Sequence, residues 1–198
     1  MKLAQKERPQ LKQNLKLMAA LLSVWTLFAC ASGKDSPLKG APPAPQADWA
    51  YEKDAVRLVF KADRELNLYN GVQHALSVCV YQLKDPNAFN QLGSDRNGLY
   101  VLLGCETFDP SVTSFRRITV QPGQELTVTL DRAQASRYVG IAAGYYAIER
   151  EKIIRLAEIP VEVKTSGFFF RTQYAITAPL SLNVVLGPQA IQRVEAIP

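Results

Sequence analysis

The 198-residue chain carries 23 Lys and Arg against 18 Asp and Glu, a formal charge of +5, with a single histidine. Residues 1–29 hold five of those bases (Lys2, Lys6, Arg8, Lys12, Lys16) and one acid (Glu7), which leaves 18 − 17 = +1 for residues 30–198. A near-neutral body argues against a nucleic-acid surface or a polybasic lipid-binding surface.

The basic opening is followed by LMAALLSVWTLF, residues 17–28, apolar apart from Ser23 and Thr26. Twelve helical residues span roughly 18 Å, too short for a hydrocarbon core of about 30 Å. A charged segment, a short apolar stretch and a small residue together read as a signal peptide over residues 1–29. The sequence Leu27-Phe28-Ala29-Cys30 resembles the bacterial lipobox. That resemblance implies cleavage before Cys30, lipidation of its thiol and a further acyl chain on the freed amine. One acyl chain binds membranes marginally, whereas two or more anchor stably. The alternative is an ordinary secretory signal with an incidental cysteine. Ala31 stands where lipoproteins kept at the inner membrane commonly carry Asp, which favours the outer membrane by the same resemblance.

Residues 30–50 read as a lipidated Cys and a Pro-rich tether, with four prolines between positions 31 and 50. Residues 51–198 are long enough for one domain with its own core. Val56, Leu58 and Phe60 alternate with Arg57 and Lys61, and Leu76, Val78 and Val80 alternate with Ser77, Cys79 and Tyr81. These period-two runs predict strands. Residues 85–92 then predict a helix, opened by Asp85 and Pro86 with Ala88, Phe89 and Leu92 at helical spacing. A turn at Asp95-Arg96-Asn97-Gly98 precedes a second short helix over 99–103. Ile118 and Val120 lead through Pro122-Gly123 to Leu126, Val128 and Leu130, a pattern that predicts an antiparallel hairpin. Further strands are expected over 138–145, 153–163 (with an irregularity near Glu158), 167–176 and 180–186. Seven or eight strands with a helical insertion predict a mainly β, two-sheet sandwich.

Cys79 and Cys105 are the cysteines beyond Cys30, and an even pair in an oxidising compartment favours a disulfide. The alternative is a buried, unpaired thiol at Cys79. His74 precedes a strand, and Cys79 five positions on points to the opposite face, which disfavours a Cys–His catalytic pair. No serine-hydrolase, zinc or calcium motif is found, so no catalytic residue, metal or cofactor is expected. Asp85, Asp95, Asp109 and Asp131 read as caps and turn residues. Phe168-Phe169-Phe170 is expected in the sandwich core or at its edge, with a lipid-facing placement as the alternative.

Several segments together resemble the TssJ (SciN) family, outer-membrane lipoproteins of the bacterial type VI secretion system. They are ADRELNLYNGVQHALSVCVYQLKDPNAF (62–89), FDPSV (108–112), the Pro-Gly segment with LDRA (130–133), YVGIAAGYY (138–146) and LNVVLGPQAI (182–191). The resemblance implies a transthyretin-like β-sandwich without catalysis. It implies lipid anchoring at the outer membrane, facing the periplasm, and a partner in the periplasmic C-terminal domain of TssM, with TssL in the same complex. No nucleic acid or small-molecule substrate is implied. The main partner contact of the family maps onto Asp63, Arg64, Glu65, Leu66, Asn67, Leu68, Tyr69, Asn70, Gly71, Val72 and Gln73. Leu66, Leu68 and Tyr69 are apolar groups among turn formers, and on a loop they suggest a docking surface; folding back onto the sandwich edge is the alternative reading. Another periplasmic binding module or pilot lipoprotein with the same sandwich is the competing function.

Overall fold

The computed structural model describes residues 45–168 and 170–197; the expected signal peptide, Cys30 and most of the tether lie outside them. The described chain builds ten strands and three short helices. The first sheet has the order β10-β9-β1-β4, formed by β1 (Glu52–Ala62), β4 (Glu125–Arg132), β9 (Leu180–Leu186) and β10 (Ile191–Ala196). The second has the order β3-β2-β5-β6, formed by β2 (Leu76–Leu83), β3 (Val112–Val120), β5 (Tyr138–Ala143) and β6 (Ile154–Glu158). β7 (Val161–Ser166) and β8 (Thr172–Thr177) form a separate hairpin. The molecule is thus mainly β with two principal sheets.

Alternation explains the core of the first sheet. Val56, Leu58 and Phe60 on β1 are fully buried, and Leu182 and Val184 line up beside Leu58 and Phe60 on the parallel neighbour β9. Side chains two apart share a face, so one strand contributes a continuous apolar row. β2 differs because it is buried on both faces. Tyr81 donates its hydroxyl to the Leu102 carbonyl at 2.8 Å, and Cys79 is joined to Cys105. Both partners belong to the helical insertion, α1 (Asn87–Leu92) and α2 (Arg96–Gly104) with its C-cap. Odd-numbered β2 residues therefore face the helices, and Leu76, Val78 and Val80 face the opposite way. Gly140 on β5 lies opposite Tyr81, and a Cβ there would sit 2.7 Å from the Phe89 ring. Glycine is what lets α1 press so closely on the sheet.

The helices begin as their polar residues dictate. Asp95 is the N-cap of α2 and accepts from the amides of Asn97 and Gly98 at 2.9 and 3.0 Å. The tetrapeptide expected as a turn is therefore the cap and first turn of the helix. Asp85 accepts from the Asn87 amide at the start of α1.

Three expectations need correction. The Pro122-Gly123 turn forms, with Gly123 at φ +70° and the Gln124 amide donating to Gln121. Its flanks do not pair with each other: β3 pairs with β2, and β4 pairs with β1. The Gly123 amide donates to Asp63 and the Ala62 amide to Gln124, so the end of β1 captures the outgoing strand and the turn becomes a crossover between sheets. Second, the irregularity expected near Glu158 is present but is a full break at Ile159-Pro160, so that 153–163 holds two strands of different sheets, with helix α3 (Arg150–Ile153) before them. Third, Phe168 and Phe170 are 92% and 89% exposed at the tip of the β7–β8 hairpin and belong to no core.

Strand direction defines the two ends of the sandwich. β1 begins at Glu52, where the chain arrives from the tether; Arg132 and Leu180 lie at this end by register, and Glu158 lies there because it pairs with Tyr138, at the start of the strand that follows Arg132. β1 finishes at Ala62, beside the 63–73 loop, the Pro122-Gly123 turn and the Gly187–Ala190 turn.

Candidate docking site

The 63–73 loop is held by its own backbone and by two buried side chains. The Asp63 amide donates to Leu186, the Leu66 amide to Asp63, the Leu68 amide to Pro188, and the His74 amide to Leu66. Leu66 has no exposed surface. It is a core residue, which corrects its reading as an exposed docking group: the 63–66 turn folds it down into the cluster beneath. Asn67 is also buried, in left-handed backbone at φ +50°. Its side-chain amide donates to the Ala75 carbonyl at 3.3 Å and its oxygen accepts from the Tyr146 amide at 3.2 Å. One short amide side chain thus ties both ends of the loop to the segment after β5. Asparagine suits the position because it tolerates left-handed backbone and bonds locally.

Beyond Asn67 the loop ends in a tight reversal. Asn70 and Gly71 have φ +50° and +76°, and Tyr69 and Val72 exchange two backbone hydrogen bonds at 2.9 and 3.0 Å. Two successive positive φ values between paired residues are the signature of a type I′ turn, for which Asn-Gly is strongly preferred. The turn presents Tyr69 and Val72 side by side, 50% and 54% exposed. Tyr69 stacks on Tyr146, with ring centroids 4.3 Å apart and planes 18° off parallel, and His74 meets Tyr146 edge-on. Tyr146 is itself 52% exposed.

Beside this pair lies a depression of about 240 Å³ lined by Asn67, Leu68, Tyr69, Tyr145, Tyr146, Ala147, Pro188 and Gln189. Tyr145 forms its floor. Burial pushes its phenol well above the usual tyrosine range, and the hydroxyl donates to the Ala190 carbonyl at 2.9 Å. Asp63, Arg64 and Glu65 are exposed at the loop's start. The surface is therefore a rigid, partly aromatic patch with a charged rim. Sequence reasoning placed the loop but missed Tyr146, Pro188 and Gln189, which lie far along the chain. It also read Asn70 and Gly71 only as turn formers, although that dipeptide is a strong short-range hairpin signal.

The remaining singled-out residues lie elsewhere. Cys79 and Cys105 form a disulfide with Cα atoms 5.5 Å apart, pinning the C-cap of α2 to the middle of β2. Asp109 accepts from the Ser111 amide and Asp131 from the Asp54 amide and the Tyr51 hydroxyl. The Tyr51 hydroxyl first and the Asp54 amide second hold Asp131 below the ordinary carboxylate range. Cys30 lies outside the described residues.

The model of the type VI secretion lipoprotein family (T6SS-SciN; VasD, EvfM, TssJ) matches residues 54–182, more than half of the chain. Among solved structures, the type VI secretion lipoprotein TssJ1 from Pseudomonas aeruginosa superposes with a TM-score of 0.53 at 21% identity, covering 75% of this chain and 97% of that one. A chain of the structure described as the C-terminal domain of the type VI secretion protein TssM from EAEC gives 0.50 at 16% identity, covering 72% and 97%. Lip from Serratia marcescens, described as a membrane-bound component of the same system, gives 0.49 at 18% identity, covering 72% and 96%. At these identities the first two likenesses speak to the fold alone. No curated protein is similar enough in sequence to count as a match.

Proposed function

The chain belongs to the type VI secretion lipoprotein family, and we propose that it is the structural outer-membrane lipoprotein that holds the periplasmic part of TssM at that membrane. In this reading residues 1–29 are removed, Cys30 carries the acyl chains, residues 30–50 form the tether and residues 51–198 the docking domain in the periplasm. TssL belongs to the same envelope complex and is reached through TssM.

The observation that carries the docking half is the Asn70-Gly71 turn, which pairs Val72 with Tyr69 and holds Tyr69 on Tyr146. Aromatic side chains bury large areas, and groups already fixed in place lose little entropy on binding. The role is structural, with no reaction assigned. The single histidine packs against Tyr146, and the two described cysteines are bonded to each other. The histidine and both described cysteines are thus committed to packing.

Calorimetric titration with the periplasmic part of TssM tests the reading. The Tyr69→Ala/Val72→Ser variant is expected to bind at least about tenfold more weakly, because buried aromatic anchors typically contribute more than 1 kcal/mol each. Arg64→Ala and Glu65→Ala change affinity little, as rim charges mainly tune association rate. Unchanged affinity in a folded double variant would move the interface elsewhere, and no binding by the parent would favour a pilot or binding module for another assembly.

A further inference from the structure

The β7–β8 hairpin has no part in the docking site. Every residue of β7 is exposed, as are the three residues of β8 nearest the tip, so the outer part of the hairpin stands away from the sandwich. It is closed at its base by Val161 opposite Thr177 and by the Ala178 amide donating to Pro160. Its tip is apolar, with Phe168 and Phe170 almost fully exposed, and Val163 and Tyr174 are exposed along its sides. Such residues are not needed to close a core and are costly to leave in water, so their clustering on one projection marks a contact surface.

Topology says where its base sits. The hairpin leaves the sandwich after β6 and returns into β9, whose first residue Leu180 lies opposite Val56 near the start of β1. Thr177 at its base donates to the Glu52 carboxylate at 3.4 Å, next to the point where the chain from Cys30 enters the domain. The docking loop lies at the other end of β1. The base of the hairpin and the N-terminal segment through which the chain enters β1 therefore share one end of the domain. Residues 161–177 carry Glu162, Lys164 and Arg171, a net charge of +1 that suits an anionic headgroup layer.

We propose that the β7–β8 hairpin is a second membrane contact, in which Phe168 and Phe170 insert into the interfacial layer of the phospholipid leaflet that holds the acylated Cys30. The inference rests on the anchoring reading above. The anchor keeps the domain within a tether's length of the bilayer, about 60 Å for 20 extended residues. At the resulting effective concentration a weak contact is occupied. Two aromatic groups would not hold the domain to a membrane alone, but with the acyl chains already inserted they orient it.

The test uses the full acylated protein reconstituted in vesicles of phosphatidylethanolamine and phosphatidylglycerol. Tryptophan is introduced as Phe168→Trp, as Phe170→Trp and, for comparison, as Tyr100→Trp at an exposed position on α2. Flotation reports the acyl anchor, and quenching by acyl-chain-brominated lipid reports depth at each position, with the parent supplying the Trp49 background. Floating protein with both tip tryptophans quenched several-fold more than position 100 supports the proposal. Floating protein whose tip tryptophans are quenched no more than position 100 overturns it and turns attention to a protein partner for the tip. Protein that does not float overturns the anchoring reading, and this inference falls with it.

Discussion

Truncating Leu66 to alanine removes a side chain with no exposed surface from the core cluster. The expected loss is about 3 kcal/mol, the middle of the range for buried leucines. For a domain of this size that lowers Tm by roughly 10 °C. Tyr69→Ala, three residues away, removes a half-exposed ring and should leave Tm within a few degrees of the parent. Thermal melts of the two variants check this division directly. Asn67→Ala falls between: it leaves the Tyr146 amide and the Ala75 carbonyl without their partner, which costs about 1–3 kcal/mol where these groups are buried. At the other end of the domain, the Tyr51 hydroxyl first and the Asp54 amide second hold Asp131 below the ordinary carboxylate range. The unfolded chain then binds the proton more readily, so this contribution to stability is present above the ordinary value of about 3.9 and is lost as pH falls through the lowered one. The parent's Tm should fall between pH 5 and pH 3, and Asp131→Asn should flatten part of that fall. A slope identical to the parent's would mean that the Asp131 contacts do not persist in solution.

The elements differ in how plainly the sequence announced them. β4 and β9 alternate cleanly, and β1 and β2 carry period-two apolar rows although β2 is buried on both faces; such a pattern belongs to each strand alone. Which strands share a sheet does not: β1 lies parallel to β9, more than a hundred residues away, and no local pattern encodes that pairing. The Pro-Gly turn misled for the same reason, since turn chemistry sets a reversal and leaves open which sheet captures the outgoing strand. β10 escaped notice because only Ile191 among its residues is buried. In the docking loop, Leu66 and Tyr69 could not be told apart, because a lone apolar residue in a loop has no period to read. The helical insertion was legible from its caps and spacing. Its attachment through Cys79 and Cys105 yields a prediction at this scale. Closing a loop of 26 residues stabilises the domain by about 3 kcal/mol in the chain-entropy model. Cys105 also sits in left-handed backbone at φ +55°, which costs a non-glycine residue roughly 1–2 kcal/mol. Cys79→Ala/Cys105→Gly should therefore lose less stability than Cys79→Ala/Cys105→Ala. Denaturant titrations that rank the two in the opposite order would show that the backbone relaxes out of this conformation once the bond is gone.

Over the whole molecule, the 11 residues of β1 separate the docking loop from the chain's entry point by about 33 Å. The aromatic patch around Tyr69 and the base of the β7–β8 hairpin lie at opposite ends of that strand, and the patch shares no residue with the hairpin. Substitutions separated by far more than 10 Å, without common partners, normally add to within about 0.5 kcal/mol. A four-protein cycle on the acylated chain in detergent uses the parent, Tyr69→Ala/Val72→Ser, Phe168→Ser/Phe170→Ser and the combination of all four changes. TssM affinity should fall with the first pair, stay within about twofold of the parent with the second, and show a coupling below ~0.5 kcal/mol in the combination. The hairpin pair should lower quenching at the membrane whichever residue stands at position 69. Such independence is what a connector between a membrane and a protein partner requires, since each contact can then form without disturbing the other. A coupling above 1 kcal/mol would show that the hairpin reaches the partner or that the sandwich transmits strain along β1. In either case the two ends could not be treated as separate functional surfaces.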